Sequence, residues 1–183
     1  MLEPDDHTPI LILTGPPGVG KTTTAGVVAE RSARAVHLES DAFFHFIRSG
    51  YVEPWKTESH KQNQIVMRIV AQAASGYAQA GYFTVIDGIV TPGWLFEPLR
   101  DALHDAGHGV AYAVLRAPLS VCIARARDRK RGPLEDLDVV KQLWHSFSDL
   151  GDLERSAINL DSESPEAIAE ILEKRMADGS LLV

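Results

Sequence analysis

Apolar positions along the chain fall into two alternating patterns. Ile10–Leu13, Ala35–Leu38, Tyr82–Ile86, Val110–Leu115 and Ala157–Leu160 are short runs rich in valine, isoleucine, leucine and alanine. Most carry too few polar positions to leave one face in water, and they predict five buried strands. Between them the spacing is helical. Leu95, Leu99 and Leu103 recur four apart with Phe96 beside them, and Gly107 is a natural stop. Pro118 opens the next helix and Gly132-Pro133 closes it, while Leu137, Val140, Trp144 and Phe147 stripe another. Ser164 and Pro165 read as an N-cap and first helical position ahead of Ile168, Ile171 and Leu172. Ile65, Ile69 and Ala73 also share a helical face and are expected to be ordinary core packing.

Strands alternating with helices imply right-handed βαβ units, so the expected class is α/β: three layers, with a five-stranded parallel sheet covered by helices on both faces. No linker, internal repeat or low-complexity tract interrupts the pattern. Residues 1–183 are therefore expected to form one domain, a length that buries a sizeable core.

Composition narrows the function classes. Hydrophobic residues make up 45% and charged ones 23%, which excludes disordered and collagen-like chains. Basic residues number 18 against 25 acidic, a net charge of −7, and this argues against a nucleic-acid partner. Cys122 is the only cysteine, so a disulfide framework and a Cys-rich zinc site are both out, and its apolar helical face points to the core. His104 and His108 are four apart, but Gly107 ends the helix between them. His37 and His45 lack ligand spacing, so no zinc site is expected. The start, Met1 to Asp6, is acidic where a signal peptide needs positive charge, and no apolar run approaches membrane-span length. Those features predict no membrane partner and a cytoplasmic, reducing location.

The strongest chemical signal is Gly15-Pro16-Pro17-Gly18-Val19-Gly20-Lys21-Thr22, which fits G-x-x-x-x-G-K-[ST]. It directly follows the Ile10–Leu13 strand and precedes an expected helix over Thr23–Arg31, the context that pattern needs. Glycines let backbone N–H groups close around a polyphosphate, and the helix start near Lys21 adds its positive dipole end. Gly15 through Thr23 are accordingly the candidate ATP-binding residues. Lys21 is expected at the β- and γ-phosphates, and the Thr22 hydroxyl at Mg²⁺. A second carboxylate on the metal side is expected at the end of a neighbouring apolar strand, and Asp87 fits. It is expected to hold Mg²⁺ through water or to bind a substrate hydroxyl. An aspartate ahead of Gly88 also suits a cap on the turn after the strand.

With these motifs the sequence resembles the small P-loop kinases of the nucleoside-monophosphate-kinase-like fold, among them the gluconate kinase, shikimate kinase, chloramphenicol phosphotransferase and zeta-toxin-like groups. The resemblance spans Gly15–Thr22, Asp41, Asp87, Arg125–Arg131 and Asp161. It implies a P-loop NTPase fold with an acceptor-binding insertion over residues 42–81 and a short lid over 125–136. It also implies an acidic residue just after the second strand that orients the acceptor hydroxyl. Asp41 looks like that residue, with Glu39 as the competing carboxylate. A strand's carboxyl end points into the crevice where such sheets bind ligands, which favours Asp41 independently, although it also suits the N-cap of a helix over residues 42–46.

Arg125, Arg127, Arg129, Lys130 and Arg131 crowd one helix end. In related kinases a lid arginine covers the transferring phosphoryl, and Arg125 and Arg129 are the first candidates here, with Arg131 third; cations in a last turn also complement the helix dipole. The adenine, by the same resemblance, passes the end of the fifth strand at Asn159–Ser162. In the acceptor region Phe44, Arg48 and Trp55 are the candidate substrate contacts beside Asp41 and Asp87, with Trp94 a further wall. Gly50–Trp55 reads as a turn-rich segment with exposed-looking aromatics suited to a pocket wall, although most of the aromatics among Phe43, Phe44, Phe46, Tyr51 and Trp55 are also expected in the core. Nucleoside-monophosphate kinases clamp the acceptor phosphate with arginines, whereas Arg48 stands nearly alone here, with Arg68 and Arg100 remote.

The resulting expectation is an ATP–Mg²⁺-dependent phosphotransferase acting on the hydroxyl of a small molecule. A cytidylate-like nucleoside-monophosphate kinase and a nucleotide-binding switch are the alternatives, although a switch of the G-protein type lacks its Asn-Lys-x-Asp motif in this sequence.

Overall fold

The structure is a computed structural model that describes residues 8–127 and 136–183. Five strands, β1 (Ile10–Thr14), β2 (Ala35–Glu39), β3 (Phe83–Gly88), β4 (Val110–Arg116) and β5 (Ala157–Asn159), form one sheet in the order β2-β3-β1-β4-β5. Every pairing between them is parallel. The helices are α1 (Lys21–Glu30), α2 (Ser40–His45), α3 (His60–Gln79), α4 (Phe96–Asp105), α5 (Leu119–Arg127), α6 (Leu137–His145) and α7 (Pro165–Ala177). Among the described residues no helix is long and apolar enough to cross a membrane.

Strand alternation splits the core in two. Ile10, Ile12, Ile86, Tyr112 and Val114 face α3 and α4, which contribute Val66, Met67, Val70, Leu99 and Leu103. Leu11, Leu13, Phe83, Val85, Ala113 and Leu115 face the other way, against Val28 of α1, Cys122 of α5 and Ile168 and Leu172 of α7. Both faces of the central strands are thus dry, as a parallel sheet requires. The α/β class, the five strands and their layers agree with the sequence pattern. The Ser164 side chain caps α7 by accepting from the Ala167 amide at 3.3 Å, with Pro165 in the first turn.

Three local expectations are corrected. The first concerns α3, where Ile65 and Ile69 are 42% and 46% exposed. The buried face carries Val66, Met67, Val70, Ala71 and Ala74 instead. Two apolar stripes lie one residue, about 100°, apart on this helix, and the stripe with the broader set of apolar neighbours won. Polar anchoring at the helix start fixes the same rotation. Buried Asn63 donates to the Pro54 carbonyl at 2.8 Å, and Gln62 exchanges hydrogen bonds with the backbone of Val52.

The second correction concerns the aromatics after β2. Of Phe43, Phe44, Phe46, Tyr51 and Trp55, only Phe44 is fully buried; Phe43 is partly so, and Phe46 is 72% exposed. This segment crosses the carboxyl end of the sheet, where a cavity rather than a second layer covers it. Third, α2 begins at Ser40, with Glu39 at the N-cap position and Asp41 inside the first turn. Asp41 is therefore not the helix cap.

Candidate active site

The glycine-rich loop occupies the six residues between β1 and α1, at the carboxyl edge of the central strand. Gly18 has φ +79, and a Cβ there would collide with the carbonyl oxygen of Cys122 in α5. Only glycine allows both the left-handed turn and this approach. Buried Lys21 donates from Nζ to the Pro16 carbonyl at 3.1 Å, which folds the ammonium back over the loop. Arg125, near the end of α5, donates from Nη1 to the Val19 carbonyl at 3.4 Å. The loop and α5 are thus joined by a tight backbone contact and by a cation.

A cavity opens on each side of the loop. One, of about 370 Å³, is lined by Pro16, Arg116, Trp144, Leu160 and Asp161. Trp144 is fixed there by its indole N–H, which donates to the Ala117 carbonyl at 2.9 Å. The other, of about 340 Å³, is lined by Pro17 of the loop and Thr22 of α1, by Glu39, Asp41, Phe44, Tyr51 and Trp55, and by Asp87, Trp94 and Leu143. Neighbouring residues Leu143 and Trp144 of α6 therefore face different cavities.

Local packing explains how the second cavity collects its walls. Gly88 follows Asp87, and a Cβ on it would collide with Ser40 Oγ. The missing side chain lets the start of α2 sit against the end of β3, bringing Asp41 and Asp87 to one opening. The segment after β3 is pinned from below. The Val90 amide donates to Thr14 Oγ1 at 2.9 Å, and the Tyr112 hydroxyl donates to the Val90 carbonyl at 2.7 Å. Burial, aided by Glu97, pushes the Tyr112 phenol far above its usual range, so it stays a neutral donor. The Tyr51 phenol is also raised, first by burial and then by the charges of Glu53 and Asp41.

Asp87 is only 3% exposed and lies within β3, its Cα paired with Leu13 on one side and Glu39 on the other. Its carboxylate is not a turn cap. Oδ2 accepts from Nε2 of His37 at 2.9 Å. A carboxylate only accepts, so this imidazole carries its proton on Nε2. His37 lacks metal-ligand spacing in the sequence, and that pattern does not single it out. The usable signal was parity: His37 and Glu39 are two apart on β2, and the parallel register puts both on the face of the sheet that Asp87 shares.

The other candidate residues divide as follows. Phe44, Trp55, Asp41 and Asp87 line one cavity together, and Thr22 joins them from the start of α1. Arg48 does not; it lines an adjoining pocket of about 260 Å³ with Phe44, His45, Ile47 and Tyr51. Thr23 is exposed on the first turn of α1. Arg129, Lys130, Arg131 and Gly132-Pro133 lie outside the described residues. A hydroxyl and a carboxylate facing one opening are hard oxygen donors suited to Mg²⁺. Among the described residues no cluster of three His, Cys, Asp or Glu side chains is placed to hold a metal. Thr22 and Asp87 therefore fit an ion that keeps most of its ligands as water and phosphate.

Residues 10–150 match the AAA domain family. No curated protein matches the chain by sequence. Among solved structures, the tunicamycin resistance protein of Deinococcus radiodurans superposes with a TM-score of 0.68 at 22% identity, covering 96% of this chain and 98% of that one. A gluconokinase from Sinorhizobium meliloti 1021 gives 0.67 at 14% identity over 95% and 94%. The APS kinase of Mycobacterium tuberculosis, in complex with AMPPNP and APS, gives 0.69 at 16% identity over 93% and 98%. These likenesses establish the P-loop kinase fold.

Proposed function

The chain belongs to the AAA domain family, and we propose that it transfers the γ-phosphoryl group of ATP, with Mg²⁺, to a hydroxyl of a small molecule. The observation that carries this reading is that the glycine-rich loop, Thr22, Asp41 and Asp87 border one cavity, while a second cavity meets the opposite flank of the same loop. A nucleotide gripped at the loop has room for its base beside Trp144 and Leu160 and points its terminal phosphate toward the carboxylates.

Each residue has a part in that transfer. Loop amides and Lys21 hold the phosphates and balance their charge. Thr22 and Asp87 would hold Mg²⁺, which would supply neutralisation of phosphate charge. Asp41 orients the acceptor hydroxyl and takes its proton as the new O–P bond forms and the bond to ADP breaks. Arg125, already on the loop at Val19, is the described member of the arginine set proposed to cover the transferring group, within a lid over residues 125–136. Residues 42–81 supply the acceptor walls within one catalytic domain.

No lysine or arginine is among the described residues that line the acceptor cavity, and three carboxylates are. Among the described lining residues a phosphate or carboxylate on the acceptor would meet like charge, with His45 as the basic side chain present. This favours an uncharged alcohol, with Trp55, Tyr51 and Trp94 packing on its apolar parts, over a nucleoside monophosphate. The test is ³¹P NMR of ATP incubated with the protein and sugars, antibiotics, nucleosides or nucleoside monophosphates. A new phosphate monoester on an uncharged alcohol is expected. Phosphorylation of a monophosphate to a diphosphate, or hydrolysis of ATP with no ester formed, would reject this reading.

A further inference from the structure

We propose that His37 is a positioning residue for the metal-side carboxylate: its imidazole holds one oxygen of Asp87 so that the other stays turned toward the nucleotide. The inference rests on the reading of Thr22 and Asp87 as the Mg²⁺ side of the site.

The geometry is specific. His37 lies on edge strand β2, one same-face position below Glu39, and Glu39 is paired directly across from Asp87. The ring therefore reaches Asp87 from the amino-terminal side of the strands, away from the glycine-rich loop. Its Nε2 donates to Oδ2 at 2.9 Å. That is the hydrogen bond this carboxylate receives from a side chain among the described residues. Both groups are largely buried, the His37 side chain 18% and the Asp87 side chain 4% exposed, so the bond is shielded from competing water. Placing a second carboxylate, Glu39, beside Asp87 puts like charges together, and a donor from below offsets this. The bond also fixes the carboxylate rotor. A freely turning aspartate would present its metal-facing oxygen only part of the time.

A purely structural histidine makes a different prediction. It would lower stability when removed and leave metal retention by the folded protein unchanged. The experiment measures free Mn²⁺ by EPR as a stand-in for Mg²⁺, with a non-hydrolysable ATP analogue present, on folded protein verified by circular dichroism. Wild type, His37→Leu, His37→Gln, Asp87→Asn and the double variant His37→Leu/Asp87→Asn are compared. His37→Leu should weaken Mn²⁺ retention by about tenfold, and His37→Gln, which keeps an N–H donor, should recover part of the loss. In the Asp87→Asn background His37→Leu should have no further effect, because the histidine acts through that carboxylate. Unchanged retention in His37→Leu, or losses from the two sites that simply add, would overturn the proposal. If His37→Leu does not fold, His37→Gln decides: a smaller loss than in Asp87→Asn supports the role, and no loss, or a loss as large as in Asp87→Asn, contradicts it. Failure of wild type to retain Mn²⁺ with the nucleotide would instead reject the metal reading itself, and the role of His37 with it.

Discussion

On the flank formed by the phosphate loop itself the protein works mainly through backbone, while in the cavity on the Pro17 flank it works through side chains gathered from distant segments. The first flank is continuous in sequence from β1 through α1 and closes on α5 by a carbonyl contact at Gly18. The second draws on β2, α2, the segment after it, β3 and α6. Backbone amides bind any polyphosphate, so the first flank suits a nucleotide shared by many enzymes. Side chains set which acceptor is admitted, so the second is where one member of a fold differs from another.

The division can be broken by substitution. Lys21→Ala should have the largest effect, lowering turnover by about 10²–10³-fold and weakening ATP binding, read by coupled assay and calorimetry. Intact ATP affinity in this variant would remove the loop from the mechanism. Asp41→Asn should cut kcat by about 10²-fold while ATP affinity stays as in wild type, since a general base at Asp41 would touch only the acceptor. Equal losses in both measurements would merge the two flanks. Gly18→Ala should cost about 1–3 kcal/mol of stability from backbone strain, and more from the clash with Cys122, seen as a lower denaturation midpoint. Trp55→Ala should raise the acceptor KM by about tenfold, the size of one lost ring contact, with the nucleotide KM unchanged.

The smallest expected effect lies away from both flanks. Arg31 of the α1 terminus donates to Glu173 of α7 from Nε at 2.8 Å and from Nη2 at 3.1 Å. The hydrogen bond from Arg31, and then its charge, hold the Glu173 carboxyl below its usual range. A depressed carboxylate pKa stabilises the fold at neutral pH and loses that contribution as the pH falls through the folded value. Glu173→Gln should therefore lower the melting temperature slightly at pH 7 and not at strongly acidic pH. Activity should not change.

The same division explains what the sequence made legible. The phosphate loop is a contiguous pattern with a steric reason at each glycine, and its strand and helix context could be read directly from the apolar runs. Asp87 could be read as a strand-end carboxylate, and Asp41 as the acid just after the second strand, because each lies within three residues of the end of an apolar run; that β3 lies between β1 and β2 is what the structure adds. The rotation of α3 could not, because two apolar stripes lie side by side on it and Gln62 and Asn63, whose contacts decide the matter, are spaced no differently from solvent-facing amides. The exposure of Tyr51 and Trp55 could be read from their turn-rich segment, whereas that of Phe46, 72% exposed, could not, since beside Phe43 and Phe44 its local spacing is that of a core residue. His37 depended on strand register, a non-local property. Its pairing with Asp87 appears only once β2 and β3 are placed side by side.

The central claim is that the two cavities are halves of one reaction site joined at the glycine-rich loop. A crystal structure with Mg²⁺ and a non-hydrolysable ATP analogue tests it most directly. The base should lie against Trp144 and Leu160, with the γ-phosphate at Lys21 and open toward Asp41 and Asp87. A nucleotide seated with its base in the Trp55 cavity, or a γ-phosphate facing away from Asp41, would contradict the claim.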